Sequence, residues 1–393
     1  MEYKLKKTSK KLLYLLSCAL NSVKPHISYI SEADSETLYC LAKKHGVSSM
    51  ASLAITFQDN HKKIFPKKDI EKWKSARDSA FKKRALLDTE RDLILLDLDN
   101  MGIWYCPLKG IIIQNLYPEY EMREMADNDI LFDADKRGEL RNYMESLGYS
   151  YEFEGVTNHD EYIKAPVYNF EFHRKLFMQT FSTVFTDYYE DVKDRLIKDE
   201  TNKNGYHFSD SDFYIYFTAH AYKHYREGGT GFKTLTDFYI LNREYKDTLD
   251  FDYIKKELDE LGIKDFEEVL RELSVKLFSD PEKTAEAISS LSDREKKILS
   301  FISKSGAYGV EEQRIKSKVT GVVGKKRSRL TRADKLMYFI SRFLPDANYY
   351  KEAYPRIYKF KILIPGFLLF RTIYRPIVNH EKLLFEFKTV LNM

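Results

Sequence analysis

The chain has 393 residues, of which 43% are hydrophobic and 32% are charged, and its formal net charge is +4. This composition excludes a disordered chain, and the small net charge does not by itself indicate a partner. Cys18, Cys40 and Cys106 are widely spaced and form no CxxC pair, which argues against a disulfide framework or a zinc site. The length suggests about two or three folding units, and the cysteine pattern favours a reducing, cytoplasmic setting.

The first hundred residues have helical spacing. The leucines of KKLLYLLSCAL predict an amphipathic helix, although its basic start and short apolar run leave a signal peptide as an alternative. SETLYCLAKKHGV and AFKKRALLDTERDLILLDLDNMG predict two further helices. The apolar face predicted for the last of them consists of Leu86, Leu87, Leu93, Leu96 and Leu98. No stretch reaches the ~18 apolar residues of a membrane span.

The middle of the chain alternates between strand and helix patterns. The predicted strands are IWYCPL, NDILFD, YSYEFE and VYNFEFH, and the helices between them are KGIIIQNLYP and ADKRGELRNYMESLGY. Helices return after Ser209. We therefore predict an α+β fold, with a small mixed β-sheet core flanked by N-terminal and C-terminal helical regions. The predicted segments are 1–100 (helical), 101–205 (the core), 206–310 (helical) and 311–393 (basic and aromatic).

Two carboxylates open the strand in MREMADNDILFD, residues 122–133. Asp127 and Asp129 lie two residues apart and repel each other, so a cation is expected nearby. Lys109 and Gly110 lie between a strand and a helix, where glycine lets a ligand approach the backbone and the helix start offers N–H groups to a phosphate. Glu171 lies inside a strand, and pairing of neighbouring strands would bring it beside the aspartates. This set predicts divalent metal and a nucleotide; a solvated Asp-x-Asp turn is the alternative.

These motifs also carry a family resemblance. The segment LKGIIIQNLYPEYEMREMADNDILFDADKRGELRNYMESLGY resembles the uncharacterised nucleotidyltransferase family of the polymerase-β-like nucleotidyltransferase superfamily. Shared features are LKG, an aliphatic helix with YP, Arg before Asp-x-Asp, and a helix ending in Leu-Gly-Tyr. Downstream, NFEFHRKLF resembles the family's Glu-x-His strand, and AHAYKHYREGGTGFKTLTDFYIL its His-rich helix and following Asp. FLPDANYYKEAYPRIYKFKILIPGFLLFRTIY resembles its C-terminal segment.

The resemblance implies a nucleotidyltransferase core at 101–205, covered by a helical domain at 206–310 that closes over the nucleotide. It implies Mg²⁺ (or Mn²⁺) held by three catalytic carboxylates, Asp127, Asp129 and Glu171. A nucleoside triphosphate would bind with its phosphates near Lys109 and Gly110. The sequence departs from the superfamily pattern at two positions. Ile111 stands where a serine is frequent, and Asn128 stands where the residue between the aspartates is usually aliphatic.

Five further residues are candidates. His220 and His224 share a helix face at zinc-ligand spacing, but no third ligand is evident, and hydrogen-bonded histidines are the alternative. In the resemblance this helix covers the nucleotide, so Lys223 or His224 would contact the triphosphate, with plain surface charge as the alternative. His173 shares a strand face with Glu171 and is predicted to support it. Asp237 is predicted to orient or cap a neighbour.

Arg123 has three interpretations from the sequence. It could bridge to Asp127 or Glu171, contact a phosphate as part of the nucleotide site, or form a structural salt bridge.

The predicted function is metal-dependent transfer of a nucleoside monophosphate from a nucleoside triphosphate to an acceptor hydroxyl or phosphate, with release of pyrophosphate. The acceptor stays open among a glycan, lipid, small molecule, peptide or RNA. One alternative is an Asp-x-Asp glycosyltransferase, although the helical N-terminal region leaves no room for its α/β nucleotide-binding half. Another alternative is a non-catalytic binding protein with the nucleotidyltransferase fold.

The stretch Arg314–Arg342 contains ten basic residues and one acid, Asp334. It predicts either a solvated face or contact with an anionic partner, such as a nucleic acid or a membrane surface. The aromatic tail at Phe360–Phe370 is flanked by basic residues and leaves the same peripheral membrane contact open, with packing against the helices as the alternative.

Overall fold

The computed structural model describes residues 5–30, 34–57, 65–152, 157–307, 309, 311–323, 330–343, 355–368, 370, 372 and 380–393. The N-terminal part is helical, as predicted. Its helices are α1 (Lys7–Leu20), α2 (Ile27–Ile30), α3 (Ser35–Lys44), α4 (Ser48–Thr56) and α5 (Lys67–Asn100). The C-terminal helices are α9 (Asp210–Arg226), α10 (Phe232–Glu244), α11 (Phe251–Glu260), α12 (Lys264–Phe278), α13 (Thr284–Ser289), α14 (Asp293–Ser305), α15 (Glu311–Val323), α16 (Arg332–Phe343), α17 (Pro355–Lys359) and α18 (His380–Leu391).

The α/β part lies between these two groups of helices. Its elements are β1 (Tyr105–Pro107), α6 (Gly110–Ile113), β2 (Asn128–Phe132), α7 (Arg137–Ser146), β3 (Ser150–Glu152), β4 (His159–Lys164), β5 (Tyr168–His173), α8 (Thr183–Tyr188), β6 (Leu196–Lys198) and β7 (Tyr206–Phe208). The main sheet has the order β1-β2-β5-β4-β3; β2 and β5 are parallel and the other pairs are antiparallel. The protein therefore has the predicted α+β fold, with a mixed sheet between helical flanks.

The sheet contains one strand that the sequence did not predict. β4 begins with three polar residues, His159, Asp160 and Glu161, and this start hides the alternation that continues to Lys164. The β6–β7 pair was missed as well, because each strand has only three residues. Since β4 pairs with β5 over its whole length, the omission concerns the strand beside Glu171.

The two faces of the sheet have different partners. Ile130 and Phe132 of β2 pack with Phe170 and Phe172 of β5 in a cluster that includes Leu98 of α5. Successive strand residues alternate between faces, so Asp129 and Glu171 lie on the opposite face. The apolar residues thus hold the strands in the core while the carboxylates face away from that cluster.

Helix α5 buries a narrower stripe than the sequence predicted. Leu87, Ile94 and Leu98 are buried, at spacings of seven and four residues that keep them on one side of the helix. Leu93 and Leu96 are each 57% exposed and Leu86 is 39% exposed, so this part of the predicted face was wrong. The reason is geometric: α5 is covered along one side, by α4 and by the sheet.

Helix α1 is a core helix rather than an amphipathic one. Every residue from Leu12 to Leu20 is buried, and the helix packs against α4 and α12. The N-terminal helices and α12 consequently share one hydrophobic core. The division of the chain into four segments stays a prediction.

The C-terminal helices form a smaller cluster of their own. Ile315 and Val319 of α15 pack with Tyr338 of α16 and Val390 of α18. Of the basic stretch, Arg314 and Lys318 are exposed on α15. Lys325, Lys326, Arg327 and Arg329 lie outside the described residues, as does much of the predicted C-terminal motif. Among the helices that the structure describes, none is long and apolar enough to cross a membrane.

Candidate active site

One cavity of about 350 Å³ brings together all of the residues that the sequence singled out for the site. It lies between the sheet and helices α9 and α10. The predicted residues that line it are Lys109, Gly110, Arg123, Asp127, Asp129, Glu171, His173, His220, Lys223, His224 and Asp237. Residues separated by more than a hundred positions in the sequence thus meet in one cleft, as the predicted site requires.

Strand pairing places the carboxylates. In the parallel pairing of β2 with β5, Asp129 is the direct partner of Glu171. Asp127 immediately precedes β2 and lines the same cleft. The expectation that strand neighbours bring Glu171 beside the Asp-x-Asp motif therefore agrees with the register of the sheet.

Asp129 is held by two donors on a single oxygen. Its Oδ1 lies 2.5 Å from Nζ of Lys109 and 2.7 Å from Nε2 of His173. Burial alone would oppose its ionisation, but the charge of Lys109 and the hydrogen bond from His173 keep the pKa of Asp129 well below its ordinary value. Asp129 is therefore an ionised carboxylate in a buried ion pair.

Asp127 is in the opposite electrostatic situation. Burial, followed by the negative charges of Asp129 and Glu171, raises its pKa to about 7, and the charge of Lys109 only partly offsets this effect. The two aspartates thus differ although they lie two residues apart. A cation placed beside Asp127 would favour its ionised form.

The two ring nitrogens of His173 face Asn158 and Asp129. The Asn158 Nδ2 donates to the backbone oxygens of Lys175 (2.9 Å) and Leu176 (3.1 Å), which fixes the orientation of the amide. With both N–H groups directed to these oxygens, the same nitrogen also lies 3.2 Å from Nδ1 of His173. Nε2 of His173 faces the ionised carboxylate of Asp129, which can only accept, so Nε2 carries a proton and donates it to this hydrogen bond. The sequence predicted that His173 supports Glu171, whose Oε2 lies 3.6 Å from Nε2; the shorter contact of that nitrogen is to Asp129.

Lys109 has a backbone conformation that is uncommon outside glycine, with φ 44° and ψ −112°. The amides of Ile111 and Ile112 bond to the backbone oxygens of Leu108 and Lys109, so these N–H groups of the short α6 are already engaged. These two amides are therefore unavailable to a phosphate, and the contact of Lys109 and Gly110 with a nucleotide stays a prediction.

Gly110 is required by close packing. A Cβ atom at this position would lie 2.6 Å from Nη1 of Arg123 and 2.9 Å from Cε of Met125. Because a side chain here would displace the buried guanidinium of Arg123, glycine is explained by packing as well as by its place on the wall of the cleft.

Of the three interpretations of Arg123, the structure agrees with the structural salt bridge. Its guanidinium makes two hydrogen bonds to Asp237, at 2.9 and 3.1 Å, and both side chains are buried. Tyr117 donates a further hydrogen bond to Asp237 at 2.8 Å. This cluster joins α10 to the segment before β2, and Asp237 orients Arg123 at the edge of the cleft.

Helix α9 contributes one lysine and two histidines. Nε2 of His220 lies 3.1 Å from Nε2 of His224, a hydrogen bond in which one ring donates and the other accepts. The hydrogen-bonded alternative for these histidines thus matches the structure. Lys223 lines the cleft beside them, and burial lowers its pKa.

Several polar residues of the cleft were not singled out from the sequence. Lys233, Thr230 and Thr234 belong to the segment GGTGFKT. The glycines and the lysine of that segment could have identified it as part of the site. His159 lies on the unpredicted β4, directly opposite His173, and only strand pairing could have placed it there. Burial lowers the pKa of Lys233.

The described part of the cleft contains one group of side chains with ligand atoms close enough together to hold a metal ion, and carboxylates that line the same cavity. Asp127, Asp129 and Glu171 offer oxygen ligands, which suit Mg²⁺ or Mn²⁺. Ligand atoms of His159, Glu171 and His173 also lie within 4.8 Å of one another. The proton on Nε2 of His173 disfavours that nitrogen as a metal ligand in the arrangement described.

A mixed sheet with clustered carboxylates and lysines in one cleft is typical of proteins that act on phosphate groups. Residues 31–279 match the family described as uncharacterised nucleotidyltransferase. The match covers more than half of the chain, which therefore belongs to this family and has a function of the nucleotidyltransferase type. No curated protein and no solved structure gives a significant match.

Proposed function

We propose that the protein transfers a nucleoside monophosphate from a nucleoside triphosphate to an acceptor hydroxyl or phosphate, in a reaction that depends on a divalent metal. The observation that carries this proposal is the convergence of three carboxylates and three lysines on one cavity. They are Asp127, Asp129, Glu171, Lys109, Lys223 and Lys233. Membership of the nucleotidyltransferase family supports the same reaction class.

The carboxylates are the proposed ligands of Mg²⁺ or Mn²⁺. Their oxygen donors fit such an ion, and the raised pKa of Asp127, caused by burial and by its acidic neighbours, reflects negative charge that a cation would neutralise. When bound, the metal would supply charge neutralisation for the phosphate oxygens. His173 keeps Asp129 oriented through the hydrogen bond to Oδ1.

The lysines are the proposed partners of the triphosphate. Lys223 and Lys233 have no carboxylate at ion-pair distance within the described ranges, so their charges are available to a ligand. Lys109 is paired with Asp129 at 2.5 Å and would share its charge between that carboxylate and a phosphate. Arg123, by contrast, is neutralised by Asp237 and helps to shape the cleft.

The chemistry is an in-line displacement at the α-phosphorus. The acceptor oxygen forms a bond to that phosphorus, the bond between the α-phosphorus and the bridging oxygen breaks, and pyrophosphate leaves with the electron pair. A hydroxyl acceptor loses its proton, for which Glu171 is the proposed base since it is the carboxylate on β5 facing the cleft. Positioning and charge stabilisation supply most of the acceleration.

The test is incubation of the purified protein with each α-³²P-labelled nucleoside triphosphate, Mg²⁺ and a cell extract. Label should appear in a product together with released pyrophosphate, and Asp129→Asn should abolish both. Labelling that persists undiminished in Asp129→Asn would contradict the proposal.

Two alternatives give different results in the same experiment. Transfer of sugar from a nucleotide sugar without pyrophosphate release would indicate a glycosyltransferase. Absence of nucleotide binding in calorimetry with Mg²⁺ would indicate a non-catalytic binding protein.

A further inference from the structure

A second cavity, of about 420 Å³, adjoins the cleft on the side of the N-terminal helices. We call it the α3–α5 groove. Its lining residues are Tyr39, Lys43, Gly46, Ser48, Ser75, Ala76, Ser79, Ala80, Lys83, Glu124, Met125, Ala126 and Lys233. The wall formed by α5 consists of serines and alanines down to Lys83, and these small side chains leave the space open.

The groove and the cleft share a boundary. Met125, Ala126 and Lys233 line both cavities, and Ala126 directly precedes Asp127. The stem of Lys233 lies against Gly46, where a Cβ atom would be 3.7 Å from Cδ of the lysine. A molecule in the groove would therefore reach the cleft beside Asp127.

The groove has a net positive charge, because it is lined by three lysines and one glutamate. Lys43, Lys83 and Lys233 come from three different helices. Within the described parts of the chain, none of them has a carboxylate at ion-pair distance. Burial lowers the pKa of Lys83 and of Lys233, although Asp127 and Glu124 oppose this effect in Lys83.

Glu124 is the acidic residue of the groove, and its carboxylate is hydrogen-bonded to the start of α4. Its Oε1 accepts hydrogen bonds from Oγ of Ser48 at 2.7 Å and from the backbone N–H of Ser49 at 2.8 Å. The carboxylate thus lies at the start of α4, where the helix dipole also favours negative charge. Nζ of Lys83 donates one hydrogen bond to the backbone oxygen of Ala126 at 3.0 Å, so two of its three N–H groups remain for a ligand.

We propose that the α3–α5 groove binds the acceptor through a phosphate group on that molecule. This inference rests on the proposed transferase function and adds the chemical class of the second substrate. A transferase must bring two substrates to the same carboxylates, and the groove opens beside Asp127, with Lys233 at the boundary that it shares with the cleft. Lys43 and Lys83 line the groove and not the cleft, and together with Lys233 at the shared boundary they supply the positive charge that a phosphate requires.

The first experiment is calorimetric titration of inorganic phosphate into protein loaded with Mg²⁺ and the α,β-methylene analogue of the preferred nucleoside triphosphate. Saturable phosphate binding is expected. Lys43→Gln and Lys83→Gln should each weaken it by about tenfold, since each removes a charged hydrogen-bond donor. Lys82→Gln is the matched control, because Lys82 is exposed beside Lys83 and does not line the groove.

The second experiment connects the groove to the reaction. Phosphate should inhibit label transfer to the acceptor without changing the KM for the nucleoside triphosphate, and this inhibition should be lost in Lys43→Gln. Phosphate binding that is absent, or that neither substitution weakens, overturns the inference. So does phosphate that binds in the groove and leaves transfer unaffected.

Failure of the proposed function would look different. In that case the triphosphate analogue itself would not bind. The phosphate titration can then be made on protein without the analogue, where it still tests the groove. Lys43 and Lys83 do not line the cleft, but the charge of Lys83 interacts with that of Asp127, so Lys43→Gln is the variant that reports on the groove alone, and Lys223→Gln reports on phosphate that enters the cleft.

Discussion

Nζ of Lys109 lies 2.5 Å from Oδ1 of Asp129, and Nε2 of His173 reaches the same oxygen at 2.7 Å. One aspartate of the Asp-x-Asp motif thus has two donors supplied by the protein. Its neighbour Asp127 is half-buried and shares the cleft with two other carboxylates, and desolvation followed by their negative charges raises its pKa to about 7. Two residues that the sequence presents as equivalent therefore make opposite contributions to stability.

Replacement of each aspartate by asparagine should change stability in opposite directions. At pH 8 without metal, Asp129→Asn should lower the free energy of unfolding by about 2–4 kcal/mol, because it leaves Lys109 buried without its carboxylate. Asp127→Asn should raise it by about 1 kcal/mol, because it removes a charge that burial and repulsion disfavour. Urea unfolding followed by circular dichroism measures both values. Destabilisation of similar size in both variants would contradict this asymmetry.

The backbone at Lys109 provides a prediction about strain. Lys109→Gly and Lys109→Ala both remove the ammonium group, but only glycine adopts φ 44° and ψ −112° without cost. We expect the glycine variant to be about 1–2 kcal/mol more stable than the alanine variant, with both inactive in label transfer. Equal unfolding midpoints of the two variants would show that the conformation is not strained.

The sequence was informative wherever local pattern and chemistry coincided. The apolar residues after Asp129 predicted the strand, and the unexpected charge of Glu171 within another strand predicted its place beside Asp129, which the register of β2 and β5 matches. The mixed sheet and the helical flanks followed from the same alternation of patterns. The resemblance to the nucleotidyltransferase family is confirmed by the match over residues 31–279.

Features set by tertiary contacts could not be predicted in this way. Nothing local to Arg123 indicates that its partner is Asp237, more than a hundred residues later. The position of His159 depends on the pairing of β4 with β5, and the exposed leucines of α5 depend on which side of that helix the sheet covers. Local periodicity identifies an element, whereas the partner of each face is decided by the whole fold.

Asn128, which departs from the superfamily pattern, should be replaceable with a gain in stability. It is fully buried; its Nδ2 donates to the backbone oxygen of Leu87 at 3.3 Å, while its Oδ1 has no hydrogen-bond partner among the described residues. Asn128→Leu has a similar shape and removes the unsatisfied oxygen, so we expect a gain of about 1 kcal/mol in the free energy of unfolding. Asn128→Asp is the opposing control, since it should lose stability. A loss of stability in the leucine variant would contradict the prediction.

A buried histidine outside the cleft should make stability dependent on pH. Nδ1 of His45 accepts a hydrogen bond from the backbone N–H of Phe232 at 3.1 Å, at the first residue of α10, and its ring stacks on Phe232. Burial, with a smaller contribution from the charge of Lys44, lowers the pKa of His45 to about 3. The unfolded chain has an ordinary histidine pKa near ~6.5 and therefore binds a proton below that pH that the native protein does not.

The stability that the neutral ring of His45 contributes is consequently complete above pH ~6.5 and is lost as pH falls toward 3. Between pH 7 and pH 5 this group should lower the free energy of unfolding by about 2 kcal/mol. His45→Asn keeps an acceptor near the position of Nδ1 but does not titrate, so its free energy of unfolding should fall by about 2 kcal/mol less than that of the wild type over the same interval. Urea unfolding of both proteins at pH 7, 6 and 5 measures the difference. Parallel pH profiles of the variant and the wild type would mean that His45 is protonated in the native protein or that its environment is hydrated. Either result would contradict the prediction that a neutral, dehydrated ring holds the start of α10.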